Sequence, residues 1–123
     1  MIQPRTMVNI ADNTGAKLAQ VFKVLGGSKK RYAQLGDIVV VSIKTAEPRK
    51  TVKKKEVHHA LVVRQKNAFR RKDGSYVRFD ENAIVLLDKV KHEPLGGRIF
   101  GPIPREIQEK GYNQIISLAP EVV

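Results

Sequence analysis

Apolar positions along this chain gather into short runs cut by turn formers, and the runs read as β-strands. Val8-Asn9-Ile10 ends at Ala11-Asp12-Asn13-Thr14-Gly15, a cluster of turn-forming residues. Lys17 to Leu25 alternates loosely, which predicts a strand with Leu18, Phe22 and Val24 on one face, stopped by Gly26-Gly27. Asp37 to Ala46 is the clearest strand. Its Ile38-Val39-Val40-Val41 run is apolar on both faces, as expected where a sheet is covered or closed. Val57 to Val63 repeats that pattern. Asp73-Gly74-Ser75 is a tight-turn signal between Arg70-Arg71-Lys72 and Tyr76-Val77-Arg78-Phe79, and Ala83 to Leu87 gives a fifth apolar strand.

Five or six short strands at roughly ten-residue spacing predict a small barrel or sandwich. Closing the sheet would remove the exposed edges such strands otherwise present. The last third changes character: Gly96-Gly97, Gly101, Pro102 and Pro104 make an irregular segment. Pro104 opens a short helix over Arg105 to Lys110, which Gly111 can cap. Ile115, Ile116, Leu118 and Ala119 predict a second helical turn, stopped by Pro120. With no internal repeat and no linker, residues 1–123 read as one mainly β domain. Within it, 1–95 form a barrel with basic loops, and 96–123 an irregular loop with short helices.

Composition sharpens this picture in two ways. At 41% hydrophobic residues the chain can build a core, and no apolar run approaches the roughly 20 residues that span a bilayer. The Met1-Ile2-Gln3-Pro4-Arg5 start lacks the layout of a secretory signal. Cysteine is absent, which excludes disulfides, zinc knuckles and thiol nucleophiles, and is compatible with a reducing cytosol. The charge is less ordinary: 23 Lys+Arg stand against 12 Asp+Glu, a formal net charge of +11. Lys44, Arg49, Lys50, Lys53, Lys54, Lys55, Arg64, Lys66, Arg70, Arg71 and Lys72 crowd one stretch, answered there only by Glu47 and Glu56. Seven of the 12 acids (Asp80, Glu81, Asp88, Glu93, Glu106, Glu109 and Glu121) lie from position 80 onward. Like charges so crowded oppose folding by self-repulsion and point to a polyanionic partner.

Catalytic constellations fail early. His58 and His59 are neighbours in a predicted strand, so they face opposite sides and cannot chelate one ion. No second cluster of His or carboxylates supplies further ligands, and no glycine pattern matches a nucleotide cradle. Ser28 and Ser75 sit beside glycines in turns, where serine is expected anyway. Asp80-Glu81 has no visible partner for acid–base work. The expectation is therefore no enzyme, no metal and no cofactor.

The basic segments carry more. Lys29-Lys30-Arg31 lies between Gly26-Gly27 and Gly36-Asp37, as the tip of a hairpin. Lys53-Lys54-Lys55 connects two strong strands, and Arg70-Arg71-Lys72 precedes a turn. Three cationic loops on one small barrel can grip several phosphates at once. Solubility alone would interleave the signs. Tryptophan is absent and aromatics are 6%, so the charge reads as built for phosphates and shape more than for unstacked bases. Composition does not separate RNA from DNA, but no recognition-helix or zinc-finger pattern appears, which favours the shape and backbone recognition that proteins use on folded RNA. The candidate RNA-binding residues are Lys29, Lys30, Arg31, Lys44, Arg49, Lys50, Lys53, Lys54, Lys55, Arg70, Arg71, Lys72 and Arg78. In Arg98-Ile99-Phe100-Gly101-Pro102, Ile99 and Phe100 are expected to plug the barrel end, while Arg98 and the Arg105-Glu106 helix can face a protein.

Several blocks together resemble a known family. They are Ala11-Asp12-Asn13-Thr14-Gly15-Ala16; Gly26-Gly27 through Arg31, Ala33 and Gly36-Asp37; Asp73-Gly74-Ser75 with Arg78-Phe79-Asp80 and Asn82-Ala83; Arg98 to Pro102 with Arg105-Glu106; and Ile115 to Val122. In this order they resemble the universal L-fourteen family of large-subunit ribosomal proteins, in its bacterial or organellar branch. The resemblance implies a closed five-stranded β-barrel with a projecting β-hairpin ribbon and a helical C-terminal region, without enzymatic activity. It implies a cytoplasmic or organellar ribosome, binding to large-subunit rRNA, and an inter-subunit bridge with small-subunit rRNA. Ribosomal proteins L-three and L-nineteen are the implied neighbours, and the ribosomal silencing factor an implied visitor. The silencing-factor contacts map to Gly97, Arg98 and Gln114. The family more often has a threonine before the arginine and a lysine near the end, so only Arg98 keeps the pattern. A free-standing RNA-binding or chaperone module on a small barrel is the competing expectation.

Overall fold

Two apolar faces on the same strands explain the architecture. The computed structural model describes residues 2–26, 31–50 and 52–123. Strands β1 (Met7–Ile10), β2 (Ala16–Val24), β3 (Ile38–Ala46), β4 (Val57–Arg64) and β7 (Ala83–Leu87) form a closed barrel in the order β1-β2-β3-β4-β7. Neighbours are antiparallel except β1 and β7, whose parallel pairing closes the ring. Closure leaves none of the five with an open edge. Between β4 and β7 the chain makes a hairpin of β5 (Phe69–Arg70) and β6 (Tyr76–Val77), turning at Asp73-Gly74-Ser75 as expected. Asp73 Oδ1 accepts the N–H and hydroxyl of Ser75, which fixes that turn and holds the Asp73 carboxyl below its usual range.

The barrel interior is filled by Val8, Ala19, Val21, Val39, Val41, Ile43, Ala60, Val62, Ile84 and Leu86, with Ile2 and Ala33 at one end. The apolar run of β4 and β7 also buries its outer face, through Leu61, Val63, Ala83, Val85 and Leu87. Covering it are Ile99, Ile103, Ile107 and Ile115 from the C-terminal third. That third holds a parallel pair, β8 (Pro102–Ile103) with β9 (Glu121–Val122), and two short helices, α1 (Glu106–Glu109) and α2 (Asn113–Leu118). Both helices lie within two residues of their expected spans. Gly111, at φ +95°, ends the first with its N–H on the Gln108 carbonyl. Each buried isoleucine there contributes on the order of 2–5 kcal/mol against truncation to alanine.

Strand β2 departs from its expected alternation. Its buried residues are Ala16, Ala19, Val21 and Val24, while Phe22 is 49% exposed and Leu18 only half-buried. The cause is bulging against β3: register shifts fall between Ala16 and Leu18, between Leu18 and Ala19, and between Val21 and Lys23. An extra residue flips the phase of every side chain beyond it. The expected Leu18-Phe22-Val24 face is therefore corrected, with only Val24 turning inward. Phe100 is likewise 54% exposed; Ile99 alone enters the core.

Candidate nucleic-acid interface

β3 sorts the cationic loops. The connection before it (25–37) and the one after it (47–56) leave opposite ends of a nine-residue strand, about 26 Å apart at a rise of ~3.3 Å per residue. Because β4 returns antiparallel, the β4–β7 connection with its hairpin starts at the same end as 25–37. The three cationic loops thus form two groups rather than one grip.

The 47–56 loop carries Arg49, Lys50, Lys53, Lys54 and Lys55, all exposed, with Lys44 exposed near the end of β3. Buried Val52 anchors the loop, its N–H 3.2 Å from the Thr14 carbonyl. Glu56 Oε1 accepts the Lys53 N–H at 3.1 Å, and the Lys55 N–H reaches the Ile43 carbonyl at 2.8 Å. Arg49 (φ +66°) and Lys55 (φ +73°) take the left-handed conformation that these turns require. Glu56 Oε2 also lies 2.7 Å from His58 Nε2, a bond that holds the Glu56 carboxyl below its usual range. Among the described residues no ion pair engages the side chains of Lys44, Arg49, Lys50, Lys53, Lys54 or Lys55. They form a fixed scaffold of available positive charge.

At the other end Arg31, Arg70, Lys72 and Arg78 are exposed. Lys29 and Lys30 lie outside the described residues. Arg71 is placed differently. Its Nε lies 2.7 Å from Glu106 Oε1, its Nη2 donates to the Val123 carbonyl at 2.8 Å, and its guanidinium covers Phe69. This arginine ties the hairpin to α1 and the C-terminal strand.

Arg64 is the second inward cation, with a side chain only 7% exposed. Nη2 pairs with Glu81 Oε1 at 2.9 Å, and Nη1 donates to the carbonyls of Phe100 (2.9 Å) and Pro102 (3.2 Å). Burial lowers the Arg64 pKa, and Glu81 opposes that shift. A Cβ on Gly101 would stand 2.1 Å from Arg64 Nη1, so only glycine lets the guanidinium approach. Glu81 and Glu106 thus bring acids from late in the chain back onto the basic stretch. The separation of signs along the sequence is partly undone in space.

Gly97 and Arg98 are exposed on a turn built from far away in sequence. Asn13 Oδ1 accepts the N–H groups of Gly97 (3.0 Å) and Arg98 (3.3 Å), while Asn13 N–H donates to the Arg98 carbonyl. Asp12 beneath it is buried; its carboxylate accepts from Thr14 N–H and hydroxyl and from Leu86 N–H. Desolvation still raises its pKa against those bonds. The turn-forming block near the N-terminus is therefore a socket for the C-terminal loop. Gln114 is exposed in α2 and borders a recess with Lys91, His92, Glu93 and Tyr112. Ile99 N–H bonds the Leu118 carbonyl, which ties the Arg98 turn to the end of that helix.

The roles of Asn13, Asp12 and Arg64 escape sequence reading. Arg64 is counted there among the crowded cations, and its position at the end of an apolar strand is the only hint of burial. His58 and His59 face opposite ways: His58 meets Glu56, and His59 meets His92 with ring centroids 5.9 Å apart. The described residues hold no group of three His, Cys, Asp or Glu suited to a metal, and no helix long and apolar enough to cross a membrane. A groove of about 660 Å³ runs from the Asp12-Asn13 turn past Lys50 to Glu81 and Phe100, and it is open to solvent. Compared with known families, residues 1–123 match the family model described as ribosomal protein L14p/L23e.

Proposed function

Because the chain belongs to the ribosomal protein L14p/L23e family, a structural component of the large ribosomal subunit, we propose that it binds large-subunit rRNA through its two cationic ends and helps form inter-subunit bridges with small-subunit rRNA. The observation that carries the binding mode is the 47–56 loop. Its five cations and Lys44 stand exposed on a hydrogen-bonded scaffold, and no ion pair engages their side chains among the described residues. Such groups neutralise phosphates and release counterions, which supplies affinity without reading sequence. The opposite end adds Arg31, Arg70, Lys72 and Arg78, so rRNA can be held at two points about a strand-length apart. The reading extends to Lys29 and Lys30 by sequence alone.

The family resemblance carries the rest: ribosomal proteins L-three and L-nineteen as neighbours, the ribosome of the cytoplasm or an organelle as location, and the silencing factor at Gly97, Arg98 and Gln114. The Asn13-held turn suits that last role, because it displays Arg98 from a fixed backbone. Sucrose-gradient fractionation of lysate tests the whole reading. The chain should travel with large subunits and cross-link to their rRNA from Lys53-Lys54-Lys55 and from the hairpin. Recovery only as free protein would overturn it.

A further inference from the structure

Phe22 is the aromatic that alternation would bury and a bulge turns out. Between Val21, which pairs with Val41, and Lys23, which pairs with Val40, β2 carries one residue more than β3. Val21 and Val24 remain in the core, while Phe22 and Lys23 are both exposed. Bulges of this kind re-aim side chains and are common beside functional sites. The Arg5 N–H bonds the Val21 carbonyl and the Thr6 carbonyl accepts from Val21, so exposed Arg5 (φ +75°) sits along the same strand segment. Gln20 Nε2 donates to the Arg5 carbonyl, which fixes that approach. Met7, opposite Gln20, is exposed as well.

The charge of this outer face is one-sided. Strands β1, β2 and β3 carry Lys17, Lys23 and Lys44 and not one Asp or Glu, and residues 2–6 add Arg5 without an acid. The C-terminal helices cover the other side of the barrel, through β4 and β7. Glu47 pairs with Lys17 at the start of β2 and Glu81 reaches Asn9 of β1, whereas no ion pair engages Arg5 or Lys23 among the described residues. An exposed ring with unpaired cations beside it is the arrangement that holds a single-stranded nucleotide: the base stacks and the phosphates find the cations. A protein partner with an acidic rim would also meet the cations, but an exposed ring next to Lys23, with Arg5 on the adjoining segment, matches alternating base and phosphate better.

We infer that the outer face of β1 and β2 around Phe22 is an RNA-docking surface in which an unpaired nucleobase stacks on Phe22 while Arg5 and Lys23 hold its flanking phosphates. The inference rests on the rRNA-binding reading above and adds base stacking to a binding mode otherwise built on phosphate.

The full chain and deproteinised large-subunit rRNA provide the test. Phe22→Ser should weaken binding about 5- to 150-fold, the loss that one unstacked base carries, with the salt dependence unchanged. Lys23→Ala should lower the salt slope by about 0.7–0.9, one phosphate's share. The chain has no tryptophan, so Phe22→Trp supplies a single indole, whose emission should be quenched by the RNA with affinity kept. Equal binding by Phe22→Ser and wild type, with an unquenched indole, would overturn this inference and leave the rRNA reading standing. An indole that shifts to the blue in assembled subunits without quenching would assign the face to a protein and also overturn it. Failure of the wild-type chain to bind rRNA at all would overturn both.

Discussion

Arg64 and Glu81, seventeen positions apart, form an ion pair with Nη2 2.9 Å from Oε1, and the same guanidinium holds the carbonyls of Phe100 and Pro102. One buried side chain thereby joins the barrel, the β6–β7 connection and the C-terminal loop. Glu81 Oε2 continues the network to Asn9 Nδ2 at 2.6 Å.

Removing that clamp should be costly. Arg64→Met leaves two carbonyls and a carboxylate without their donor, and the expected loss is about 2–3 kcal/mol. Glu81 is 41% exposed and can turn to water, so the figure sits below that for a fully buried pair. Urea unfolding measures it, and Glu81→Gln should cost less than Arg64→Met.

Asn13 should act on the Arg98 turn more than on the whole fold. Asn13→Ala removes the acceptor for two N–H groups, at about 1 kcal/mol. Amide exchange at Gly97 and Arg98 should accelerate well ahead of exchange in β4. Gly96→Ala tests the same socket sterically, since its Cβ would lie 2.7 Å from Asn13 Oδ1.

Acid sensitivity should trace in part to His59. Burial lowers its pKa below the ordinary 6.5, and the charges of His92 and Lys89 lower it further. The folded state therefore favours the neutral ring. Above 6.5 the group has no effect; as pH falls below 6.5 toward the folded-state pKa, the unfolded chain takes the proton first and stability drops. Urea midpoints compared above and below 6.5 should differ less in His59→Gln than in wild type.

Replacing Lys53-Lys54-Lys55 by alanines should reduce the salt slope of rRNA binding by about two to three units if all three meet phosphate. The thermal midpoint should hardly move, since the loop is anchored by Val52 and by backbone bonds rather than by these side chains. An unchanged slope would return the run to plain solvent.

Arg98→Ala should weaken capture of the silencing factor while incorporation into large subunits continues. The turn that presents it depends on backbone bonds to Asn13, which the substitution leaves in place. Equal capture by variant and wild type would count against a partner site there.

Much of this architecture follows from the chain itself. Apolar runs doubly faced at 38–41 and 83–87 require a sheet buried on both sides, and turn formers at 11–15 and 73–75 set the connections. The cationic stretch and the blocks shared with the L-fourteen family are equally local, because composition and order need no contacts to be read. Tertiary structure decided what depends on partners distant in sequence. Bulges in β2 arise from pairing with β3, so the exposure of Phe22 is invisible to alternation within one strand. Whether a cation faces phosphate or protein depends on which acid folds back onto it. Glu81 and Glu106 claim Arg64 and Arg71, while no ion pair engages the cations of the 47–56 loop among the described residues.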